Sequence, residues 1–196
     1  MSILDFKSAF LGGGARPNQF KVELTFPTFV SGGSAAARKA QFLCDAASLP
    51  GSHLGVVNNV YYRGREVKIA GERQFQNWTI QVLNDTDFAI HDSFEKWSDY
   101  INSVKNNTGL TNPLSYTVDM NVSQLDRNGG VIKTYKFADC WPVNIGEIQL
   151  QFGSNDQVET FPVELAYSFW DTTANATSIS GSIGISTPIG GVGLSF

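Results

Sequence analysis

The most constraining feature of this sequence is the recurrence of apolar residues at every second position. Phe20, Val22, Leu24 and Phe26 alternate with Lys21, Glu23 and Thr25. Trp78, Ile80 and Val82 alternate with Thr79 and Gln81, and Tyr116, Val118, Met120 and Val122 alternate with Thr117, Asp119 and Asn121. Phe161, Val163, Leu165, Tyr167 and Phe169 extend the pattern into a long final strand. Successive side chains of a strand point to opposite faces, so such segments bury one face and wet the other. Further strands are expected over Lys39–Ser48, where Phe42, Cys44 and Ala46 share a face, over Val131–Phe137, and over Ile145–Phe152. The helical period occurs once, in Ile90, Phe94, Trp97, Ile101 and Val104. It predicts an amphipathic helix from Asp87 to Lys105, capped by Asp85 or Thr86 and ended by Asn106–Gly109. The expected fold is mainly β: an antiparallel β-sandwich or curled sheet with one flanking α-helix.

The breaks between these segments carry their own signals. Asp126–Gly130 reads as a hairpin turn, because Asn and Gly tolerate positive φ. Gly32–Ala37 reads as a loop of small residues, Trp141–Asn144 as an interruption, and Gly153–Asp156 as a turn. The stretch from Pro50 to Arg65 has no helical period and several glycines and asparagines, and loops that long in a compact domain are usually functional or disordered. From Thr172 to Phe196 there is no charged residue, and the chain repeats Ser, Gly and Ile. That extension reads either as a flexible linker or, through its alternating isoleucines, as an edge strand added in an assembly.

Composition removes most functional classes. Charged residues are only 16% of the 196 residues, against roughly 25% in ordinary chains, and the formal net charge is −4. A protein that grips nucleic acid by its phosphates is normally basic. Cys44 and Cys140 are too few for a disulfide framework, and His53 and His91 do not cluster with them, so neither a zinc site nor any other cofactor is expected. No apolar run reaches the length of a membrane span, and Met1–Lys7 lacks the pattern of a signal peptide. Neither a Gly-x-Ser-x-Gly elbow nor a phosphate loop occurs; Gly12–Gly14 is not followed by the required Lys. His91 beside Asp92 and Glu95 reads as a solvated helix histidine, and Asp85 and Asp87 as complements to the helix dipole. The polar strand faces, rich in Ser, Thr, Asn, Gln and Asp, offer passing phosphates few cations and would suit the lining of a conduit.

Several blocks, taken in order, carry a resemblance. They are Ala15–Phe20, Phe42–Cys44, Ala47–Gly51, Ala70–Phe75, Trp78–Asp85, Trp141–Leu150, Ser154–Asn155 and Thr160–Leu165. Together they resemble the tail tube proteins of contractile-tailed bacteriophages, the myovirus tail tube family, over residues 1–171. Residues 172–196 are an extension that the best-known members lack. The resemblance implies homohexameric rings stacked into a hollow tube, with four strands per subunit joined into a continuous inner β-barrel. It implies a tail sheath protein around the tube, a tape-measure protein inside it, and baseplate and tail terminator proteins at its ends. DNA would pass without specific binding, and the subunit would be a virion component with no membrane insertion and no enzymatic activity. On the same basis Pro50, Gly51, Tyr61, Tyr62, Arg63 and Arg65 belong to a ring-stacking loop. Asp92, Glu95 and Asp99 would face the sheath, or form a plain solvated helix face. The lumen would be lined either by Asp119 and Asn121 or by Glu147, Gln149 and Gln151. Competing readings are the tube of a related contractile injection device, a baseplate tube initiator, and a carbohydrate-binding β-sandwich using Trp141 and Trp170.

Overall fold

A computed structural model describes residues 2–10, 14–58 and 60–174. The chain runs α1 (Ile3–Ala9), β1 (Phe20–Glu23), α2 (Gly33–Leu43), β2 (Cys44–Ala47), β3 (His53–Val57), β4 (Tyr61–Tyr62), β5 (Arg65–Glu66), β6 (Ile69–Gln74), β7 (Trp78–Leu83), α3 (Ala89–Ile101), β8 (Val118–Leu125), β9 (Val131–Ile145), β10 (Thr160–Ala166) and β11 (Phe169–Ala174). The expected β-rich antiparallel architecture is present, with three α-helices among the described residues rather than one.

The 15-residue strand β9 organises the sheet. Its first half pairs with β8 on one side and β11 on the other, and β8 pairs onward to β1. Its second half pairs with β10, which continues to β7 and β2. Between the halves Asp139 adopts φ 57°, and the β8 register slips between Val118 and Met120. Such a bulge bends a strand and turns its two ends into different sheets. The two halves meet through the Trp78 and Phe137 rings, stacked with centroids 4.3 Å apart. Around them lie Val22, Met120 and Val122 from one half and Ile80, Val82, Phe161, Val163 and Leu165 from the other, all buried.

Several expected boundaries differ. Trp141–Asn144 does not interrupt β9; its 141–145 stretch pairs only with β10, so the missing N–H of Pro142 faces an unpaired side. The strand expected over Ile145–Phe152 stops at Ile145. There the Gly146 N–H donates to the Pro162 carbonyl at 2.8 Å, and Pro162 has no N–H to return, so the ladder ends. The long final strand is two strands, with Tyr167 and Ser168 between β10 and β11.

The largest correction is α2, which occupies the expected loop from Gly33 on and the first half of the expected strand Lys39–Ser48, the strand beginning only at Cys44 as β2. Gly33, Ala36 and Ala40 form its buried face at helical spacing, whereas Phe42 is 84% exposed. Alanine is the best helix former, and small residues let the helix approach the core closely. A Cβ on Gly33 would stand 2.7 Å from the Phe26 Cβ. The helix α3 buries Ile90, Phe94 and Trp97 as expected, with Phe94 edge-on to Phe26 at 4.9 Å and the Trp97 indole N–H donating to the Tyr116 carbonyl at 2.9 Å. The helix ends at Ile101, so Val104 lies beyond it, 90% exposed. Its cap also differs: Phe88 takes the cap position at φ 51°, and the Asp87 carboxylate, not that of Asp85 or the Thr86 hydroxyl, accepts from the Ala89 N–H. The expected hairpin turn is present, with the Asp126 carboxylate accepting from the N–H groups of Asn128 and Gly130 at 2.8 and 2.7 Å.

Truncating Phe137 to Ala removes half of the Trp78 stack from a fully buried site. The expected loss is about 3–5 kcal/mol, read as a lower urea midpoint at unchanged m-value. A loss below about 1 kcal/mol would show that the stack is not central.

Candidate assembly surfaces

Four strands, β1, β8, β9 and β11, present one polar face. Their register sets Glu23, Asn121, Lys136 and Asp171 in one row and Lys21, Ser123, Thr134 and Thr173 in the next. Side chains on this face are tied to one another. The Lys21 ammonium lies 2.7 Å from Glu23, the Lys136 ammonium 2.7 Å from Asp119, and the Ser123 and Thr134 hydroxyls 2.9 Å from each other. The hydrogen bond from Lys21 holds the Glu23 carboxyl below its ordinary range against the opposing effect of partial burial. The hydrogen bond from Lys136 does the same for Asp119, and Asp119 in turn raises Lys136. Both lysines of this face are therefore already engaged by carboxylates. Asp119 and Asn121, expected as lumen residues, lie on this face. Glu147, Gln149 and Gln151 do not; they follow the end of β9 in an irregular exposed segment beside Leu150, which is 85% exposed.

The stretch expected to be a loop is a β-arm. Strands β3 and β6 pair from His53–Gln74 to Val57–Ile69, and β4 and β5 pair beyond them. Arg63 (φ 48°) and Gly64 (φ 80°) make the tip, the two-residue turn that matches strand twist. The arm was hidden in the sequence because it has no buried face to impose alternation; Tyr61 and Tyr62 are 64% and 67% exposed. Arg63 and Arg65 share the tip with them, the Arg63 guanidinium lying over the Tyr62 ring. Pro50 and Gly51 sit at its base, lining a cleft with Trp78 and Tyr167. At Gly71 the arm's strands come so close that a Cβ would lie 3.1 Å from the Gly55 carbonyl carbon.

On α3, Glu95 and Asp99 are exposed and Asp92 is half-buried. Asp99 is engaged locally, accepting from the Val104 N–H at 3.0 Å. The Lys39 ammonium joins α2 to the start of α3 by reaching both Asp85 and Asp87. His91 lies 3.7 Å from Glu95 and packs edge-on to Phe161. Together with Asp92 these form one grouping of potential metal-binding atoms among the described residues. Burial pushes the Cys44 and Cys140 thiols up to about 12, so both are protonated and unreactive at neutral pH. No helix among the described residues is long and apolar enough to cross a membrane. The extension 175–196 lies outside the described residues, while Thr172–Ala174 complete β11.

Sequence reasoning missed Lys21, Glu23, Ser123, Thr134, Lys136, Asp171 and Thr173 as members of one surface. The period-two pattern marked Lys21 and Glu23 as facing away from the core, but only strand register shows which polar positions are neighbours.

The described residues thus form a mainly antiparallel β protein with an exposed arm and with sheet edges that no described strand covers. Its relatives make the class specific. Residues 15–173 match the family model described as phage tail tube protein. The chain is 31% identical over 175 residues to the tail tube protein gp19 of Enterobacteria phage T4, covering 87% of this chain and all of that one. It is 29% identical over 168 residues to the tail tube protein of Serratia phage KSP90, covering 85% and 94%. Among solved structures, a chain of the sheath–tube complex of the extracellular contractile injection system PVC aligns with a TM-score of 0.56 at 15% identity, covering 89% of this chain and 99% of that one. A chain of the anti-feeding prophage cap aligns with a TM-score of 0.56 at 14% identity, covering 82% and 91%. The chain belongs to the phage tail tube protein family.

Two predictions follow from these surfaces. In Lys136→Met, the carboxyl titration of Asp119 followed by NMR moves up toward the ordinary carboxylate range. Because the native value is depressed, the pair stabilises the fold above the unfolded carboxylate pKa and ceases to do so as pH falls through the native value. The wild-type advantage over Lys136→Met therefore disappears in acid; an unmoved Asp119 titration would mean the pair does not persist in solution. In Gly71→Val the added side chain meets backbone, so amide protection is lost across β3 and β6 while the urea midpoint of the core stays at the wild-type value. Retained protection in the arm would refute the close approach.

Proposed function

We propose that this protein is the subunit of the inner tube of a contractile phage tail, closing as homohexameric rings that stack into a hollow conduit for DNA. The observation that carries the reading is the four-stranded sheet β1-β8-β9-β11. All its pairings are antiparallel, so β1 and β11 run in opposite directions. No described strand pairs with the outer edge of either. Edge-to-edge addition of copies therefore continues an antiparallel ladder, and a closed barrel is the arrangement that leaves no edge exposed. The face carrying Asp119 and Asn121 would line the bore. With its lysines engaged by carboxylates, it would offer DNA phosphates no free cation.

The remaining surfaces fit such a tube. The arm, with Tyr61, Tyr62, Arg63 and Arg65 at or beside its tip and Pro50 and Gly51 at its base, is the stacking element toward the next ring, since aromatic and Arg side chains dominate interface energetics. The exposed carboxylates of α3, Glu95 and Asp99 with Asp92 beside them, face the tail sheath protein. Baseplate and terminator proteins would meet the tube's ends, a tape-measure protein would occupy the bore before ejection, and the subunit's location is the virion. The tube domain would run through the end of β11 at Ala174, three residues past the expected boundary at 171, with 175–196 an extension beyond it. The function needs no catalytic step.

Negative-stain electron microscopy of the purified protein, with and without baseplate seeds, tests this reading. Hollow tubes of uniform width are expected. Monomers that never assemble even when seeded would overturn it. The combined variant Tyr61→Ala with Tyr62→Ala is expected to keep the wild-type unfolding midpoint and lose tubes; undiminished tube formation would remove the arm from stacking.

A further inference from the structure

The two open edges can be matched residue by residue. The Leu125 N–H donates to the Gln19 carbonyl at 2.9 Å, so Gln19 directs its backbone groups at β8. Backbone groups alternate between the two edges of a strand. Lys21 and Glu23 therefore also face β8, and Phe20 and Val22 present their N–H and C=O groups to the open side. Carried across the registers, Met120 and Val122 face β9, Lys136 and Ala138 face β11, and Phe169, Asp171 and Thr173 face β9. The Ser168 N–H donating to the Ala138 carbonyl at 3.0 Å agrees with Ala138 facing β11. Trp170 and Thr172 direct their backbone groups to the edge that no described strand covers, where the Thr172 N–H donates to the Asp171 carboxylate of its own chain at 2.7 Å, a bond that pairing with a second copy would replace. At both edges the open groups thus belong to residues on the apolar face, so the edges can hydrogen-bond with their faces aligned. Opposite parity at either edge would have forbidden this.

Parity leaves a few registers, and charge separates them. Setting Val22 opposite Thr172 brings Glu23 directly opposite Asp171, and like charges directly opposite destabilise a ladder. It also continues the Glu23–Asn121–Lys136–Asp171 row unbroken into the next copy, whereas a closed barrel needs its rows to stagger. Setting Val22 opposite Ser168 carries Val22 and Glu23 past the start of β11 and leaves only half of β1 paired. Setting Val22 opposite Trp170 makes an aromatic–β-branched pair on the apolar face and brings Lys21 opposite Asp171 on the polar face. The row then steps by two residues at the joint. Lys21 and Asp171 form a non-hydrogen-bonded pair, the kind whose Cα atoms approach to about 4.5 Å. We propose that β11 of one copy adds to β1 of the next in this register, with Lys21 bridging Glu23 of its own chain and Asp171 of the neighbouring copy.

The inference rests on the tube reading, and disulfide trapping separates the two. Lys21→Cys and Asp171→Cys chains are mixed and assembled into tubes with baseplate seeds, then oxidised. Parallel mixtures use Glu23→Cys with Asp171→Cys and Lys21→Cys with Thr173→Cys. All four positions lie on the polar strand face, outside the core, and the native Cys44 and Cys140 thiols are protonated. The expected result is a covalent dimer from the first mixture and its loss in the other two. A dimer predominating in either other mixture would overturn the register while leaving the tube reading intact. Tubes that form without any cross-linked dimer would overturn β1–β11 joining itself, and wild-type protein that forms no tubes would overturn the tube reading and the inference together.

Discussion

Strand β9 has to serve two sheets, and the bend at Asp139 is what allows it. Before the bend it is the central strand of the four that share the polar face; after it, β9 carries β10 and the layer behind. β10 and β11 lie end to end along one edge of β9, against 141–145 and 133–138, and the bend lets these two stretches belong to different layers. The left-handed Asp139 is held in place by its N–H, which donates to the Asp119 carboxylate at 3.3 Å, the same carboxylate that engages Lys136. The polar face and the bend that creates it thus share a residue. Behind them the Trp78–Phe137 stack joins the two halves from the apolar side.

Legibility in the sequence followed burial. Trp78–Leu83 and Phe161–Leu165 are strands with one fully buried face, and alternation marked their buried positions, although the expected final strand ran on across the break at Tyr167–Ser168. The α3 stripe was readable for the same reason. Where no face is buried, the signal vanished. The β-arm has glycines at closest approach and aromatics turned to solvent, so its pairing is set by the backbone and by the Arg63–Gly64 turn rather than by a hydrophobic pattern. The helix α2 failed differently: Ala and Gly carry almost no periodic contrast, and Phe42 and Cys44 supplied a false alternation across its end. The Ile145–Phe152 misreading shows that alternation without a partner makes no strand, because Pro162 withdraws the neighbour's donor. Of the candidate site, the polar character of Asp119 and Asn121 was readable one strand at a time. That Lys136, Asp171 and Glu23 share their row was not, since register is a property of pairs.

The low charge content becomes intelligible in this arrangement. A tube subunit turns much of its surface toward copies of itself, and each buried charge there would need a partner. On the polar face the charges present are already paired within the chain or, at Asp171, lie across from Lys136. A face so arranged is wet enough to stay free of apolar adhesion and short of the free cations that would hold a polyanion.

Open sheet edges invite aggregation, and this chain limits that hazard at the edges no described strand covers. The edge strand β1 is only four residues long, and both edges carry charge, Lys21 and Glu23 on one and Asp171 on the other. A single contact between two copies then gains few hydrogen bonds and meets like charges in the wrong register. In the proposed ring, closure would change the balance, because the last copy makes two joints for one further loss of rotational and translational freedom. Short, charge-marked edges would then make pairwise association weak and closed assembly strong, and under the proposed function such a subunit would wait for a template that presents several partners at once.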